Sequence, residues 1–424
     1  MASIQKNSVA VIGLGYVGLP LSQLFLQNGF IVHGIDINQK KLESIEKGES
    51  LFPDVDSGFL QTCIREQKFS LFQDGEGAAG TEAVLICVPT PLTGTGEPDL
   101  SYVNSAVDLI LPHIREGQLI VLESTSFPGT TEELILPKLE KRGFRPGENL
   151  YLAYSPERID PGSKIPLENI PKVVGGITPS CLQKAKDLYE RIFVAVHPVS
   201  SARAAEMTKI LENTQRFINI SFINDFALLC EKMGIDVYEV IDAAATKPYG
   251  FTRYLPGAGI GGHCIPIDPL YLSWKAKQYD HETPFIHFAD RINKKMPAYI
   301  AEKVLRLLAE TGGLAGKKIL VAGVAYKKDI DDVRESAAVE VIRRLMEKGA
   351  AVDYFDPLVP ELTVGGKVLR SADDPLSGYD LAVVITEHSV MDREKISAAA
   401  KQVIFPESYF LPWTRETDGR GGNK

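Results

Sequence analysis

Residues 9–36 read VAVIGLGYVGLPLSQLFLQNGFIVHGID, and this stretch decides the fold. VAVIG is a short, continuous apolar run, as a strand buried on both faces requires. Residues 14–28 then read as a helix and IVHGID as a second strand, which together make a βαβ unit. GLGYVG (13–18) falls at the first strand-to-helix turn. In a GxGxxG turn the first glycine makes the tight bend, the second admits a pyrophosphate close to the backbone, and the third lets helix pack on strand. The free N–H groups at the start of the helix suit an anion. Asp36 closes the second strand, 23 residues after Gly13. A carboxylate there accepts bonds from ribose hydroxyls and repels a 2′-phosphate, so the expected cofactor is NAD, held by Gly13, Gly15, Tyr16, Val17, Gly18 and Asp36. A glycine turn with no ligand is the competing reading.

Outward from this unit, strand candidates recur at 83–89, 118–124 and 172–176 with helical stretches between most of them. That alternation indicates a doubly wound α/β domain. From about 202 the pattern changes to a helical run too long for an ordinary surface helix, with Met207, Leu211, Thr214, Ile218 and Phe222 near helical period. Such a helix joins two domains or packs on a second subunit. Residues 317–327, 349–357 and 380–388 then repeat the opening layout with a degenerate glycine signature. The expectation is an α/β protein of two Rossmann-like doubly wound domains joined by a long helical linker. The N-terminal NAD domain is expected over 1–200, the linker over 201–305, the second α/β domain over 306–413, and a polar, Gly-rich, disordered tail over 414–424.

The totals narrow the classes. The chain has 424 residues, 44% hydrophobic and 24% charged, the balance of a globular protein of two or three domains. A net charge of −9 disfavours nucleic acid. No apolar run approaches a membrane span, and MASIQKNSVAVIG, polar and running straight into a strand, reads as no signal peptide, so none is expected. Five cysteines, at 63, 87, 181, 230 and 264, lack CxxC or zinc-site spacing. Free thiols in a reducing cytoplasm are therefore expected. Seven histidines without metal-site spacing give no metal centre.

Several motifs follow strand-like runs, at the carboxyl ends where open α/β sheets bind ligands. Thr90 lies in CVPTP (87–91), Thr125 in ESTSFPGTT (123–131) and Glu157 in YSPERIDPG (154–162). Each, taken alone, also reads as a turn or a cap. Lys209 and Asn213 are four apart and share a helix face away from the Met207/Leu211/Ile218 stripe; a solvated lysine is the ordinary reading. The stretch GAGIGGHCIPIDPLYL (257–272) puts four glycines just ahead of Cys264, and Asp268 just after it. So many glycines imply a close approach to the main chain. Cys87 and Cys230 lie in apolar runs and read as core. Cys264 does not, and a thiol on such a loop beside a carboxylate suggests a nucleophile. His263 is adjacent in sequence, which does not make it the base.

Taken together, GLGYVG, VPTP, SPER, the Lys209–Asn213 pair, GGHCIPIDP and AYKKDIDDVRES resemble, in order, the nucleotide-sugar 6-dehydrogenases of the UDP-glucose dehydrogenase superfamily, over roughly residues 8–412. PERIDPG and GGHCIPIDPLYLSWKAKQY look most like the branch acting on UDP-N-acetylglucosamine. UDP-glucose enzymes usually carry a lysine ahead of the aspartate, where this chain has Ile267.

The resemblance implies oxidation of a sugar C6 alcohol to a carboxylate with two NAD. Cys264 would attack the C6 aldehyde, and the thiohemiacetal would become a thioester that water hydrolyses. Lys209 and Asn213 would stabilise oxygen anions, Asp268 and Thr125 would hold the water, and Glu157 would serve as acid and base. By the same resemblance Tyr254, Leu255, Gly257, Gly261 and Lys327 would join Glu157, Lys209 and Asn213 on the UDP-sugar, and Lys41, Thr90, Thr125 and Arg334 would reach the cofactor. A homodimer through the helical linker is also implied, with no membrane or nucleic-acid partner. UDP-N-acetylglucosamine is the first choice of substrate. The N-acetylmannosamine, N-acetylgalactosamine and glucose forms are alternatives. A two-electron β-hydroxyacid-type dehydrogenase and a non-catalytic NAD-binding scaffold are the rival classes. The first needs neither the cysteine nor the second α/β domain, and the second has no use for the Lys/Asn/Cys/Asp set.

Overall fold

A computed structural model describes residues 4–49, 52, 55–158, 165–262, 264–310, 313–314, 316–373 and 377–411. His263, the whole IDPG stretch after Arg158 and the 414–424 tail lie outside the described residues. The chain divides into two compact units, one of residues 1–213 and 267–282, the other of 214–266 and 283–424.

The first unit is built on eight strands: β1 (Gln5–Ile12), β2 (Ile31–Ile35), β3 (Phe69–Phe72), β4 (Thr81–Ile86), β5 (Leu119–Leu122), β6 (Tyr151–Tyr154), β7 (Lys172–Gly176) and β8 (Val196–Val199). They form one sheet in the order 3-2-1-4-5-6-7-8. Pairing is parallel from β3 through β6, turns antiparallel at β6–β7, and is parallel again to β8. The first six positions are the strand order of doubly wound dinucleotide-binding folds, with the topological switch where β1 lies between β2 and β4. The central strands have no exposed face: Val9, Ala10, Val11, Val84, Leu85 and Val121 are fully buried. Separate apolar clusters cover the two faces of the sheet.

The first helix runs Gly18–Gln27, four residues later than the sequence pattern suggests. Residues 13–17 are instead spent on the glycine turn. Gly13 has φ +88°, and a Cβ on it would meet the Cys87 carbonyl oxygen at 2.7 Å. A Cβ on Gly18 would lie 2.0 Å from the Gly13 carbonyl oxygen, while one on Gly15 would meet nothing within 4 Å.

The long helix spans Ala202–Met233, and the division between the units falls within it. Its apolar stripe is divided in burial: Thr214 is buried and Ile218 partly buried. Met207, Leu211 and Phe222 of the apolar stripe are exposed, Leu211 by 64%. Lys209 and Asn213, on the face that a polar pair would ordinarily turn to solvent, are buried, together with Glu206, Ile210 and Phe217.

The second unit carries β9 (Lys318–Ala322), β10 (Ala351–Phe355), β11 (Glu361–Val364), β12 (Lys367–Arg370), β13 (Tyr379–Val384) and β14 (Ala400–Ile404). A parallel sheet in the order 10-9-13-14 stands beside the β11–β12 hairpin. The helices Pro284–Glu310 and Ala337–Glu347 and the second half of the long helix share its apolar core. The first turn repeats that of the other unit. Gly323 follows β9 with φ +77°, and Asp356 after β10 accepts from the Val324 and Ala325 N–H groups at 2.7 and 3.2 Å.

Gly18→Ala should cost about 1–3 kcal/mol of stability, because its methyl group collides with a carbonyl that has no rotamer to change. Thermal unfolding and NAD titration should show a lowered midpoint together with weakened binding.

Candidate active site

Parallel pairing brings the carboxyl ends of β1, β2, β4, β5 and β6 to one edge of the sheet. The turn glycines, Asp36, Thr90, Thr125 and Glu157 follow those strands directly. The N-cap of the first helix, Val17, makes no side-chain cap; Leu19 N donates to the Gly15 carbonyl at 3.1 Å, and the space over Gly15 is open. The Tyr16 ring packs against Phe52 at 4.4 Å. Asp36 is buried; it accepts from Leu14 N and Asn38 N, each at 2.9 Å, and pairs with Lys41 at 2.6 Å. Open backbone at a helix start and a carboxylate after the second strand fit a dinucleotide's pyrophosphate and ribose.

Glu157 is buried at the end of β6. Its surroundings rest on a pairing that the sequence reading missed. Lys172, on β7, meets Glu123 at 2.5 Å, and Tyr189 donates to the same carboxylate, all three being buried. Burial raises the Glu123 carboxyl while Lys172 opposes the rise. Lys172 also reaches the Pro156 carbonyl at 3.4 Å, and Ser155 Oγ donates to the Val173 carbonyl at 2.8 Å. Arg158 then pairs with Glu212 of the long helix at 2.6 Å. The SPER segment is thus held from both sides.

Lys209 and Asn213 sit on the buried face of that helix. Asn213 Nδ2 donates to Asp268 Oδ2 at 2.5 Å. Burial pushes Asp268 up to about 7, against the pull of the Lys209 charge and the Asn213 bond. Lys209, only 8% exposed, has no hydrogen bond or ion pair among the described residues. A buried ammonium held in no ion pair, with the more distant Asp268 carboxyl feeling its charge, is costly in a purely structural role. Three residues before Lys209, Glu206 accepts from Gly129 N, Thr131 N and Thr131 Oγ1 at 2.5, 2.9 and 2.7 Å, and burial raises it to about 7. It fixes the loop that follows Thr125, which is itself partly buried.

Asp268 opens the helix Asp268–Ala276, with Pro269 inside the first turn. Tyr271 donates to the Thr90 and Pro91 carbonyls at 2.5 and 2.7 Å, and Lys275 pairs with Glu133 at 2.7 Å. Ile267 packs with Phe127, Ile210 and Tyr271. Pairings across more than a hundred residues leave no local trace in the sequence.

Cys264, Tyr254, Leu255, Gly257, Gly261, Lys327 and Arg334 belong to the second unit. Cys264 is partly exposed, whereas Cys63, Cys87, Cys181 and Cys230 are buried. Tyr254 Oη donates to Gln215 Oε1 at 3.2 Å, and Leu255 is exposed. Lys327 is partly buried in the turn after β9, and Arg334 is exposed and pairs with Asp332 at 2.6 Å. Two of the loop glycines have a packing reason of their own. A Cβ on Gly261 would meet the Glu335 carbonyl oxygen and Tyr326 Cβ at 2.7 Å, and one on Gly262 (φ +90°) would strike the Tyr326 ring. Gly257 has open space where its Cβ would be. Among the described residues no group of His, Cys, Asp or Glu could hold a metal ion.

These features define an NAD-using oxidoreductase with a second nucleotide-type α/β domain. Family models agree along the chain. Residues 7–193 match the NAD binding domain of the UDP-glucose/GDP-mannose dehydrogenase family, 203–295 its central domain, and 320–412 its UDP binding domain. The chain belongs to this family. It is 34% identical to a UDP-N-acetyl-D-mannosamine dehydrogenase of Methanocaldococcus jannaschii over 95% of this chain and 92% of the relative. It is 35% identical to a UDP-N-acetyl-D-glucosamine 6-dehydrogenase of Pseudomonas aeruginosa over 95% and 97%. A solved UDP-D-ManNAc dehydrogenase from Pyrococcus horikoshii superposes with a TM-score of 0.85 at 31% identity, covering 95% of this chain and 96% of that one.

If ionised Asp268 is required, turnover should rise with pH and level off above about 7, where its carboxyl titrates. Asp268→Asn should lower the rate and flatten that limb of the pH–rate profile, since an amide does not titrate.

Proposed function

We propose that this protein oxidises the C6 alcohol of a UDP-N-acetylhexosamine to the uronic acid, with UDP-N-acetylglucosamine preferred. The observation that carries the chemistry is the buried Lys209–Asn213–Asp268 group. An ammonium kept from water and held in no ion pair suits oxygen charge that develops only during reaction. NAD, when bound, accepts the hydride removed from C6 in each of the two oxidations. The Gly13–Gly18 turn, Asp36, Lys41, Thr90, Thr125 and Arg334 are the residues assigned to it.

Lys209 and Asn213 stabilise the C6 oxygen as the alcohol becomes an aldehyde, giving its hydroxyl proton to water and its hydride to the cofactor. The Cys264 thiol then adds to that aldehyde, its proton passing to the C6 oxygen, to give a thiohemiacetal. Loss of the second hydride, with that hydroxyl proton going again to water, leaves a thioester on the cysteine. Water, held by Asp268 and Thr125, cleaves the C–S bond. Glu157 takes the water's proton and returns one to the leaving thiolate. Tyr254, Leu255, Gly257, Gly261 and Lys327 hold the UDP-sugar. The partial exposure of Cys264, against four buried cysteines, supports its choice as nucleophile. A nucleophilic thiol must stay reduced, which favours the cytoplasm.

For the substrate, Ile267 is the informative residue. Its side chain fills an apolar cluster with Phe127, Ile210 and Tyr271. A lysine there, as UDP-glucose enzymes usually have, would be a buried charge in this setting. The resemblance of PERIDPG and the cysteine loop favours the gluco form, and relatives named for the manno form make it the second reading. A homodimer through the long helix is supported by the exposed row Met207, Leu211, Phe222, Leu229 and Met233, a length of apolar surface that a lone helix seldom leaves in water.

A panel of UDP-sugars tests the reading. UDP-N-acetylglucosamine should give the highest kcat/KM and two NADH per uronate. Faster turnover of UDP-glucose would place the protein in another branch, and one NADH per sugar would make it a two-electron dehydrogenase. Cys264→Ala should bind NAD normally and form no uronate.

A further inference from the structure

The cysteine loop is held by two asparagines that neither the sequence motifs nor the family match singles out. Asn224, on the second half of the long helix, accepts from Gly257 N at 2.8 Å. Asn293, on the helix Pro284–Glu310, grips the peptide backbone at Ile260 with both ends of its amide. Its Oδ1 accepts from Ile260 N at 2.6 Å, and its Nδ2 donates to the Ile260 carbonyl at 3.1 Å. Gly262 N then donates to the Arg334 carbonyl at 3.0 Å. All of these residues lie in the second unit. The segment 257–262, which leads into Cys264, is a loop without backbone pairing of its own in helix or sheet. Its N–H groups at 257, 260 and 262 are therefore satisfied by three separate outside acceptors.

Asn224 bears a mark of this requirement. It is fully buried, and its Nδ2 has no hydrogen-bond partner among the described residues. An apolar side chain would fill that space without stranding a donor. Keeping the amide is reasonable if its oxygen is needed for Gly257 N.

We propose that Asn224 and Asn293 are positioning residues for the Cys264 thiol, clamping the 257–260 backbone so that the sulfur captures the aldehyde before it escapes. This rests on Cys264 being the nucleophile. The effect is on placement. Neither asparagine touches the reacting atoms, and a misplacement of about 1 Å can cost on the order of 10²-fold in rate.

The test uses the full-length enzyme with NAD and the UDP-sugar it turns over fastest, with semicarbazide present to trap free aldehyde. Wild type should give two NADH per uronate and little trapped aldehyde. Asn293→Ala should lower uronate formation by about 10²-fold, leave the KM for NAD unchanged, and release semicarbazone with one NADH for each aldehyde lost. Mere loss of folded enzyme would reduce the rate and keep the ratio at two. Should Asn293→Ala fail to fold, Asn224→Ala carries the same prediction. A folded variant that keeps the ratio at two with no trapped aldehyde overturns the proposal. Cys264→Ala, run beside them, separates the two claims. If it still makes uronate with two NADH, the nucleophile assignment falls and the clamp falls with it. If it makes none while the asparagine variants keep the wild-type ratio, only the clamp is lost.

Discussion

One face of the long helix carries charge and amide groups into an interior that normally excludes them, and the first unit is arranged to accept them. Glu206 is satisfied by the 129–131 backbone, Asn213 by Asp268, and Glu212, at the edge of that face, by Arg158. Each contact ties a different loop of the sheet edge, or the helix behind it, to the same few turns. Lys209 is left among them without an ion pair. Burial raises both Glu206 and Asp268 to about 7, so the region holds carboxyls that can change charge near neutrality. Unpaired polar groups in such a setting are expensive, and networks of this kind persist where function or specificity needs them.

The second unit treats the same problem differently. Its Asp356 occupies the place in the turn that Asp36 holds in the first, yet it accepts from four backbone N–H groups, and His388 Nε2 lies 3.1 Å away. Gly323 is closed in as well, since a Cβ there would lie 1.7 Å from the Thr386 carbonyl oxygen. A turn packed so fully serves to hold the following loop, with Tyr326 and Lys327, against the rest of the domain. Tyr326 in turn provides the surface on which Gly261 and Gly262 lie.

Much of this was legible in the residues. The glycine turn, Asp36 and the strand-end motifs could be read because each depends on chemistry within a few positions of itself. The repeat of the first turn at 317–327 was legible for the same reason. The helix face was not. Apolar periodicity marked Met207, Leu211, Thr214, Ile218 and Phe222, yet of these only Thr214 is buried, while Lys209, which a rule that solvates charged groups would turn to water, is buried as well. What supports Glu157 and Asp268 was also out of reach, because Glu123–Lys172, Arg158–Glu212 and Lys275–Glu133 are long-range pairs with nothing local to announce them. The loop glycines were read as marking a close approach to a sugar. For Gly261 and Gly262 the structure shows the approach to be to the protein's own Tyr326 and Glu335.

The central claim is that C6 becomes covalently attached to residue 264. A serine at this position should form an ester that water removes more slowly than the thioester. Cys264→Ser, mixed with UDP-N-acetylglucosamine and NAD, should therefore accumulate an adduct heavier by the UDP-sugar acyl group in intact-protein mass spectrometry. Peptide mapping should place it on residue 264. A serine enzyme that turns over at close to the wild-type rate with no adduct, or an adduct mapped to another residue, would contradict the account.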